Sequence, residues 1–175
     1  DYKKKVMNIH NKLRKYGMTH EKSANMQTTL CALAVDGDGS HHIINVGDSR
    51  LYRLRNGCIK QLSTDQSLVQ MLYANGRITH EEKLYHKHRN IIFPVLGNLA
   101  SDPEPQIIEI DPIQYGDVIL ICSDGLSDYL TQGEFEEIMA LPLRLSKRLS
   151  KLTETAKKNG SPDNITVLAV SNTVD

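Results

Sequence analysis

The sequence has 175 residues, of which 39% are hydrophobic and 24% are charged, the balance of one ordinary globular domain. Lys plus Arg and Asp plus Glu both number 21, and the resulting zero net charge gives no support for nucleic acid or an anionic membrane as the main partner. The three cysteines are far apart and no apolar stretch is long enough for a membrane span, so a disulfide scaffold, a zinc knuckle and a transmembrane segment are excluded. We therefore expect a cytoplasmic protein.

The first third of the chain predicts one helix and a β-meander. Val6, Ile9 and Leu13 have helical spacing, which predicts an amphipathic helix over residues 3–16 that ends at Gly17. Four short apolar runs follow and predict strands that are joined by turns. The strands are residues 28–35, 43–46, 51–54 and 59–62, and the two clearest turns are residues 36–40 and Asn56-Gly57.

Residues 66–98 have a different residue pattern, which predicts a small helical segment that lies outside the sheet. Ser67 to Ala74 suits one helix, and the sequence Thr79-His80-Glu81-Glu82 predicts a capping box that begins a second. We expect Tyr73 and Tyr85 to pack inside this segment. Its histidines are interpreted as exposed loop residues, although a metal trio is an alternative: His80, His86 and His88.

The rest of the chain predicts three strands and two helices. The strands are residues 107–110, 118–122 and 165–170, and the helices are residues 131–140 and a longer one that ends near Gly160. Residues 118–122 are apolar on both faces, which predicts a central strand that is covered on both sides. Helices on an antiparallel sheet system predict an α+β layered domain that spans residues 1–175.

Aspartates stand at the ends of two predicted buried strands. Asp124 and Asp128 follow Cys122, and Asp163 precedes the last strand. If these strands are antiparallel neighbours, the three carboxylates converge, and such hard oxygen ligands select Mg²⁺ or Mn²⁺ over zinc. Each aspartate also stands in an ordinary turn sequence, as does Asp48, so spacing alone leaves a structural interpretation open.

Three of the longer motifs, in this order, resemble those of the type 2C (PPM) metal-dependent serine/threonine protein phosphatases, in their bacterial form. They are Asn45-Val46-Gly47-Asp48-Ser49-Arg50, Ser123-Asp124-Gly125-Leu126-Ser127-Asp128 and Ser161-Pro162-Asp163-Asn164-Ile165-Thr166-Val167. Weaker matches are Thr28-Thr29-Leu30, Leu62-Ser63-Thr64-Asp65-Gln66-Ser67 and pieces of the segment that follows. The resemblance covers nearly the whole chain, and the common order of six matches is what makes it specific.

The resemblance implies a four-layer α-β-β-α sandwich of two antiparallel sheets flanked by helices, with residues 66–98 as a flap subdomain. It implies hydrolysis of phosphoserine and phosphothreonine in proteins by a water that two Mn²⁺ or Mg²⁺ ions activate, with a third ion in some members. Phosphoprotein substrates and an opposing serine/threonine kinase are the implied partners. Neither nucleic acid nor a membrane is expected.

The same resemblance assigns roles to single residues. Asp124 and Asp163 match ligands of the two-metal centre, and Asp48 and Asp128 match carboxylates that help to hold an additional ion. Gly125 matches the tight turn after the first ligand, and Asn164 matches the residue that accompanies the second. No catalytic residue beyond these metal ligands is expected in the chain.

The opening segment of the family is not found among the 175 residues. That segment carries an arginine that binds the substrate phosphate, an acidic ligand and an Asp-Gly-x-Gly-Gly-His motif. The sequence Asp36-Gly37-Asp38-Gly39-Ser40-His41 resembles this motif, but we interpret it as a hairpin turn. Since the sequence starts with Asp1, we expect an N-terminally incomplete chain that is weak or inactive alone and that exposes sheet edges. The alternatives are a phosphatase-like pseudoenzyme that acts as a binding or regulatory module, and a plain carboxylate metal-binding domain.

Overall fold

A computed structural model describes residues 1–172. The helices in these residues are α1 (Tyr2–Thr19), α2 (Leu68–Ala74), α3 (His80–Tyr85), α4 (Asp124–Ser127), α5 (Gln132–Met139) and α6 (Leu145–Lys158), with one 3-10 turn at Glu21–Ser23. The strands are β1 (Leu30–Val35), β2 (His41–Val46), β3 (Arg50–Arg55), β4 (Cys58–Gln61), β5 (Gln106–Ile110), β6 (Val118–Cys122) and β7 (Val167–Ser171).

The strands form two antiparallel sheets, ordered β1-β2-β5 and β4-β3-β6-β7. The predicted single meander is therefore wrong, because β2 and β3 follow each other in the chain but lie in different sheets. Gly47 turns the backbone between them with a φ of 103°, and its N–H donates to the side chain of Gln66 instead of to a neighbouring strand. Apolar alternation could not reveal this crossing, since β2 and β3 are each buried on both faces.

Three apolar clusters separate four layers. Ile43, Leu51 and Ile119 are buried between the two sheets, whereas Val6 of α1 packs with Ile44 on the outer face of the β1-β2-β5 sheet. Residues of the last three helices cover the outer face of the other sheet, among them Leu126, Phe135 and Leu152. This order of helix, sheet, sheet and helix confirms the predicted α-β-β-α sandwich.

The two strands that carry the aspartates differ in burial. β6 lies between β3 and β7 and is almost wholly buried, which confirms the prediction of a central strand. β7 was also predicted to be buried, but the side chains of Leu168 and Val170 are 57% and 48% exposed. Among the described strands β7 lies at the edge of its sheet, and only the face that α6 contacts is covered.

The helices agree with their predicted capping signals. Both capping boxes are present, at Thr79 and Thr131, and each pairs a threonine hydroxyl with the backbone N–H of the glutamate three residues later. Gly17 does not end α1, which continues to Thr19; it is buried, and a Cβ at this position would lie 3.0 Å from the carbonyl oxygen of Ser23. None of the helices within residues 1–172 is long and apolar enough to cross a membrane.

The segment of residues 66–98 contains α2 and α3, and one isolated bridge joins it to the residues before β1 while the other lies within it. Thr28 pairs with Leu96, and Ser67 pairs with Ile92. Tyr85 does not pack inside this segment as expected, because its side chain is 87% exposed. A short helix with no fully buried residue presents its ring to solvent.

Candidate metal centre

The end of β6 meets the start of β7. Cys122 is paired with Val167, and beyond that pair the N–H of Ser123 donates to the carbonyl of Thr166 at 3.1 Å. The Ser123 hydroxyl accepts from the N–H of Thr166, also at 3.1 Å. α4, which begins at Asp124, and the loop that carries Asp163 therefore lie at the same end of the sheet, as the antiparallel arrangement predicts.

Gly125 lies where α4 contacts the loop of Asp163. A Cβ built on it would be 2.5 Å from the carbonyl oxygen of Asn164 and 3.4 Å from the Cβ of Asp163. The hydroxyl of Ser161 also crosses the gap and donates to the carbonyl of Gly125 at 2.8 Å. Only glycine permits this approach, so the backbone itself fixes Asp124 and Asp163 next to each other.

Local hydrogen bonds hold one oxygen of each carboxylate. Oδ1 of Asp124 accepts from the N–H of Gly125 at 2.9 Å, and Oδ1 of Asp163 accepts from the N–H of Asn164 at 2.8 Å. Neither aspartate forms an ion pair with a side chain in residues 1–172. No side-chain cation within these residues therefore competes with a ligand for either carboxylate.

Asp48 joins this group from the crossing between the two sheets. Burial raises its pKa to about 7, and the charges of Asp124, Asp65 and Asp128 add to that increase. Burial also raises the pKa of Asp128, against the opposing effect of the Arg50 charge. Asp48 and Asp128 are therefore close enough to Asp124 and Asp65 for the carboxylates to repel one another in a partly dehydrated place.

Arg50 neutralises a part of the cluster, and sequence analysis missed its role. Its guanidinium donates twice to Oδ2 and once to Oδ1 of the buried Asp65, at 2.7 to 3.0 Å, and it pairs with Asp128 at 2.9 Å. Arg50 and Asp65 both stand in motifs named above, but neither motif indicates that the two side chains pair. Asp48, Asp124 and Asp163 remain without such a cation among the described residues.

The donor set fits a hard divalent cation. Within residues 1–172, no group of three or more His, Cys, Asp or Glu side chains is arranged to hold an ion by itself. Mg²⁺ and similar ions, however, are usually bound by one or two carboxylates with water in the remaining positions. Asp124 and Asp163 offer two unpaired carboxylates of this kind, so the fit is to a partly hydrated ion and not to a closed protein cage.

The sequence suggested two further candidates, the turn at residues 36–40 and the three histidines. Residues 36–40 form the hairpin turn between β1 and β2, where the N–H of Gly39 donates to the carbonyl of Asp36, which confirms the turn interpretation. This turn is at the opposite end of β2 from Asp48. The histidines of α3 and the loop after it form no three-ligand metal site in the part of the chain that the structure describes.

The sequence and the structure are both similar to those of known phosphatases. A family model for protein phosphatase 2C matches residues 3–166. A serine/threonine phosphatase stp of Listeria innocua is 34% identical over 171 residues, which are 95% of this chain and 65% of that protein. The chain thus spans just under two thirds of the length of this relative.

Solved structures extend the likeness to the fold. The S. agalactiae serine/threonine phosphatase has a TM-score of 0.85 at 30% identity, over 95% of this chain and 67% of that one. The catalytic domain of the serine/threonine phosphatase PstP, solved with two manganese ions, has a TM-score of 0.76 at 31% identity, over 91% of this chain and 65% of that one.

Proposed function

This chain belongs to the protein phosphatase 2C family, and from that premise we propose that it forms the metal-binding part of an enzyme that hydrolyses phosphoserine and phosphothreonine in proteins. The observation that carries the proposal is the close approach at Gly125, which brings Asp124 of α4 and Asp163 of the loop before β7 together. Turn sequences with a purely structural role have no need for two unpaired carboxylates at one place.

We propose that Asp124 and Asp163 bind Mn²⁺ or Mg²⁺ and that Asp48 and Asp128 contribute to a further ion. The PstP structure with two manganese ions supports this choice. When bound, the ions would lower the pKa of a water and stabilise charge on the phosphoryl group. The chain supplies orientation: the N–H groups of Gly125 and Asn164 each fix one carboxylate oxygen.

Substrate, partner and location are proposed with the activity. Phosphoproteins are the substrates, and a serine/threonine kinase that phosphorylates them is the opposing partner. We propose that residues 66–98 act as a flap over the substrate. A cytoplasmic location suits the cysteines, which are all free: Cys31, Cys58 and Cys122.

The test compares Mn²⁺ binding by isothermal titration calorimetry with the rate of hydrolysis of a phosphothreonine peptide and p-nitrophenyl phosphate. We expect the 175 residues to bind Mn²⁺ weakly and to hydrolyse either compound slowly, because they contain no Asp-Gly-x-Gly-Gly-His motif. Asp124→Asn and Asp163→Asn should each weaken Mn²⁺ binding by roughly tenfold or more, since each removes a direct ligand charge.

The matched control is Asp111→Asn, an exposed aspartate that pairs only loosely with Arg53, at 3.9 Å. It should bind Mn²⁺ like the unchanged chain. Unchanged Mn²⁺ affinity in both Asp124→Asn and Asp163→Asn would contradict the metal assignment. Tight Mn²⁺ binding with no hydrolysis, even when the missing motif is supplied, would favour the pseudoenzyme alternative.

A further inference from the structure

A groove of about 930 Å³ adjoins the carboxylate cluster. One wall is α3, with Lys83, Leu84 and Tyr85, and the other is the segment from α4 to α5, with Tyr129 and Gln132. Asp128 lies at the point where the groove meets the candidate metal centre. A polypeptide that presents a phosphorylated residue to that centre would place its flanking residues in this groove.

The two carboxylates that line the groove, Asp128 and Glu134, both have partners within the chain. Asp128 pairs with Arg50 at 2.9 Å. The carboxylate of Glu134 accepts from the N–H of Thr131 at 2.8 Å and from the side-chain amide of Asn159 at 3.0 Å. Asp128 thus has a cationic partner, which it shares with Asp65, whereas Glu134 keeps its charge against neutral partners.

Two cations line the groove from α3 and the loop that follows it. Lys83 and Arg89 form no ion pair with a carboxylate within residues 1–172. Lys83 donates to the amide oxygen of Gln70, and Arg89 donates to the Tyr129 hydroxyl at 2.8 Å while it lies 5.7 Å from the centre of that ring. Their direct partners are neutral, and the carboxylates of the cluster act on them only at longer range: Asp65 and Asp128 on Lys83, and Asp128 and Asp124 on Arg89.

Both cations are held in place before any ligand binds. The Arg89 contact with Tyr129 spans from one wall of the groove to the other, and the stem of Lys83 is half-buried. Burial is the main cause that lowers the pKa of Lys83, which means that its ammonium is partly dehydrated. A partly dehydrated and pre-positioned cation attracts an anion more strongly than a fully hydrated one does.

We propose that this groove selects phosphoprotein segments with an anionic side chain close to the phosphorylated residue, and that Lys83 and Arg89 are the residues that recognise it. The proposal rests on the proposed phosphatase function, because it assumes that the phosphorylated residue lies at the carboxylate cluster. The anion is an acidic residue or a second phosphorylated residue, since both carry the required charge. The exposed side chains of Leu84 and Tyr85 give the peptide backbone an apolar surface to lie on.

The test measures the affinity of fluorescent phosphothreonine peptides by anisotropy at low salt. Three peptides share one sequence and differ only at the positions next to the phosphothreonine, which hold asparagines, aspartates or a second phosphothreonine. We expect the two anionic peptides to bind roughly fivefold more tightly than the asparagine peptide, the gain of one or two partly exposed ion pairs.

Variants locate the preference in the groove. Lys83→Gln should remove most of it, whereas Lys83→Arg, which keeps the charge, should retain it. Lys151→Gln, on the exposed face of α6 and outside the groove, is the matched control and should behave like the unchanged chain. Equal affinity for all three peptides, or a preference that Lys83→Gln leaves intact, would overturn the proposal.

Peptide binding and hydrolysis separate the two proposals. A preference for anionic peptides that depends on Lys83, without Mn²⁺-dependent hydrolysis even when the Asp-Gly-x-Gly-Gly-His motif is supplied, would support the groove and contradict the enzymatic function. Mn²⁺-dependent hydrolysis at equal rates and affinities for the three peptides would support the function and contradict the groove.

Discussion

Gly125 determines the distance between α4 and the loop of Asp163 in the candidate metal centre. Its N–H donates to Asp124, its carbonyl accepts from Ser161, and the carbonyl of Asn164 occupies the space that a side chain would need. The absence of a side chain at Gly125 thus determines where the two carboxylates lie. Its neighbours can be displaced only by movement of the backbone, because the nearest atom belongs to a carbonyl group.

Gly125→Ala should therefore destabilise the chain by about 1–3 kcal/mol, the usual cost of forcing atoms into a packed site. We also expect weaker Mn²⁺ binding, because α4 and the loop of Asp163 must separate. Urea unfolding and calorimetry measure the two effects. Gly133→Ala is the control: a Cβ there meets nothing within 4 Å, and alanine should stabilise α5 by about 0.5 kcal/mol. Normal stability and Mn²⁺ affinity in Gly125→Ala would refute the packing argument.

A buried histidine connects α1 to the segment that follows α3. His10 is fully buried, its Nδ1 accepts from the N–H of Gly97 at 3.2 Å, and the guanidinium of Arg14 lies 3.3 Å from its Nε2. That nitrogen lies 3.4 Å from Asp102, which also pairs with Arg14 at 2.7 Å. Two elements that are far apart in sequence thus depend on a neutral imidazole.

Acid should weaken this connection. Burial first, and then the Arg14 charge, lower the pKa of His10 below 6.5, while Asp102 opposes the change. Below pH 6.5 the unfolded chain then binds more protons than the folded chain at this position, so stability is full above 6.5 and falls as the pH drops toward the lowered pKa. Thermal unfolding between neutral and mildly acidic pH measures the slope.

His10→Gln should reduce that slope, although the variant is less stable throughout because a buried contact is lost. His88→Gln replaces an exposed histidine and is the control that should keep the slope of the unchanged chain. The assignment fails if both variants lose stability with acid as steeply as the unchanged chain does.

At the scale of the whole molecule, the two sheets are unequal in the described residues, with three strands facing four. Ile119 of β6 is buried between the sheets, but Leu168 and Val170 of the neighbouring β7 are largely exposed on the same side. A strand edge with adjacent apolar side chains is a surface that other chains can cover.

We expect the 175-residue chain to self-associate through this surface as its concentration rises. The double variant Leu168→Lys with Val170→Lys should remain monomeric by sedimentation velocity, since charges on an exposed edge oppose strand pairing. Met18→Lys, which changes an exposed residue of α1, should not prevent association. If the unchanged chain is a monomer at every concentration, this edge does not mediate self-association.

Local signals determined a large part of the secondary structure. The capping boxes at Thr79 and Thr131, the buried run of β6 and the turn before β2 depend on hydrogen bonds and side-chain patterns over a few residues, and all were predicted. The family resemblance supplied the layer order that spacing could not supply. The predicted meander and the buried final strand were wrong because sheet membership depends on partners that are distant in the chain.

The sequence alone therefore determined the identities of the acidic residues and their positions beside strands, including Asp124 and Asp163. Only the tertiary structure decided that, among the described residues, neither of these two pairs with a cation, whereas Arg50 pairs with Asp65 and Asp128. The reason is physical: charge compensation and close approach depend on distances between chain-distant atoms, and a linear pattern contains no such distances. Lys83 and Arg89 gained their proposed role in the same way, from the charge that surrounds them in the folded chain.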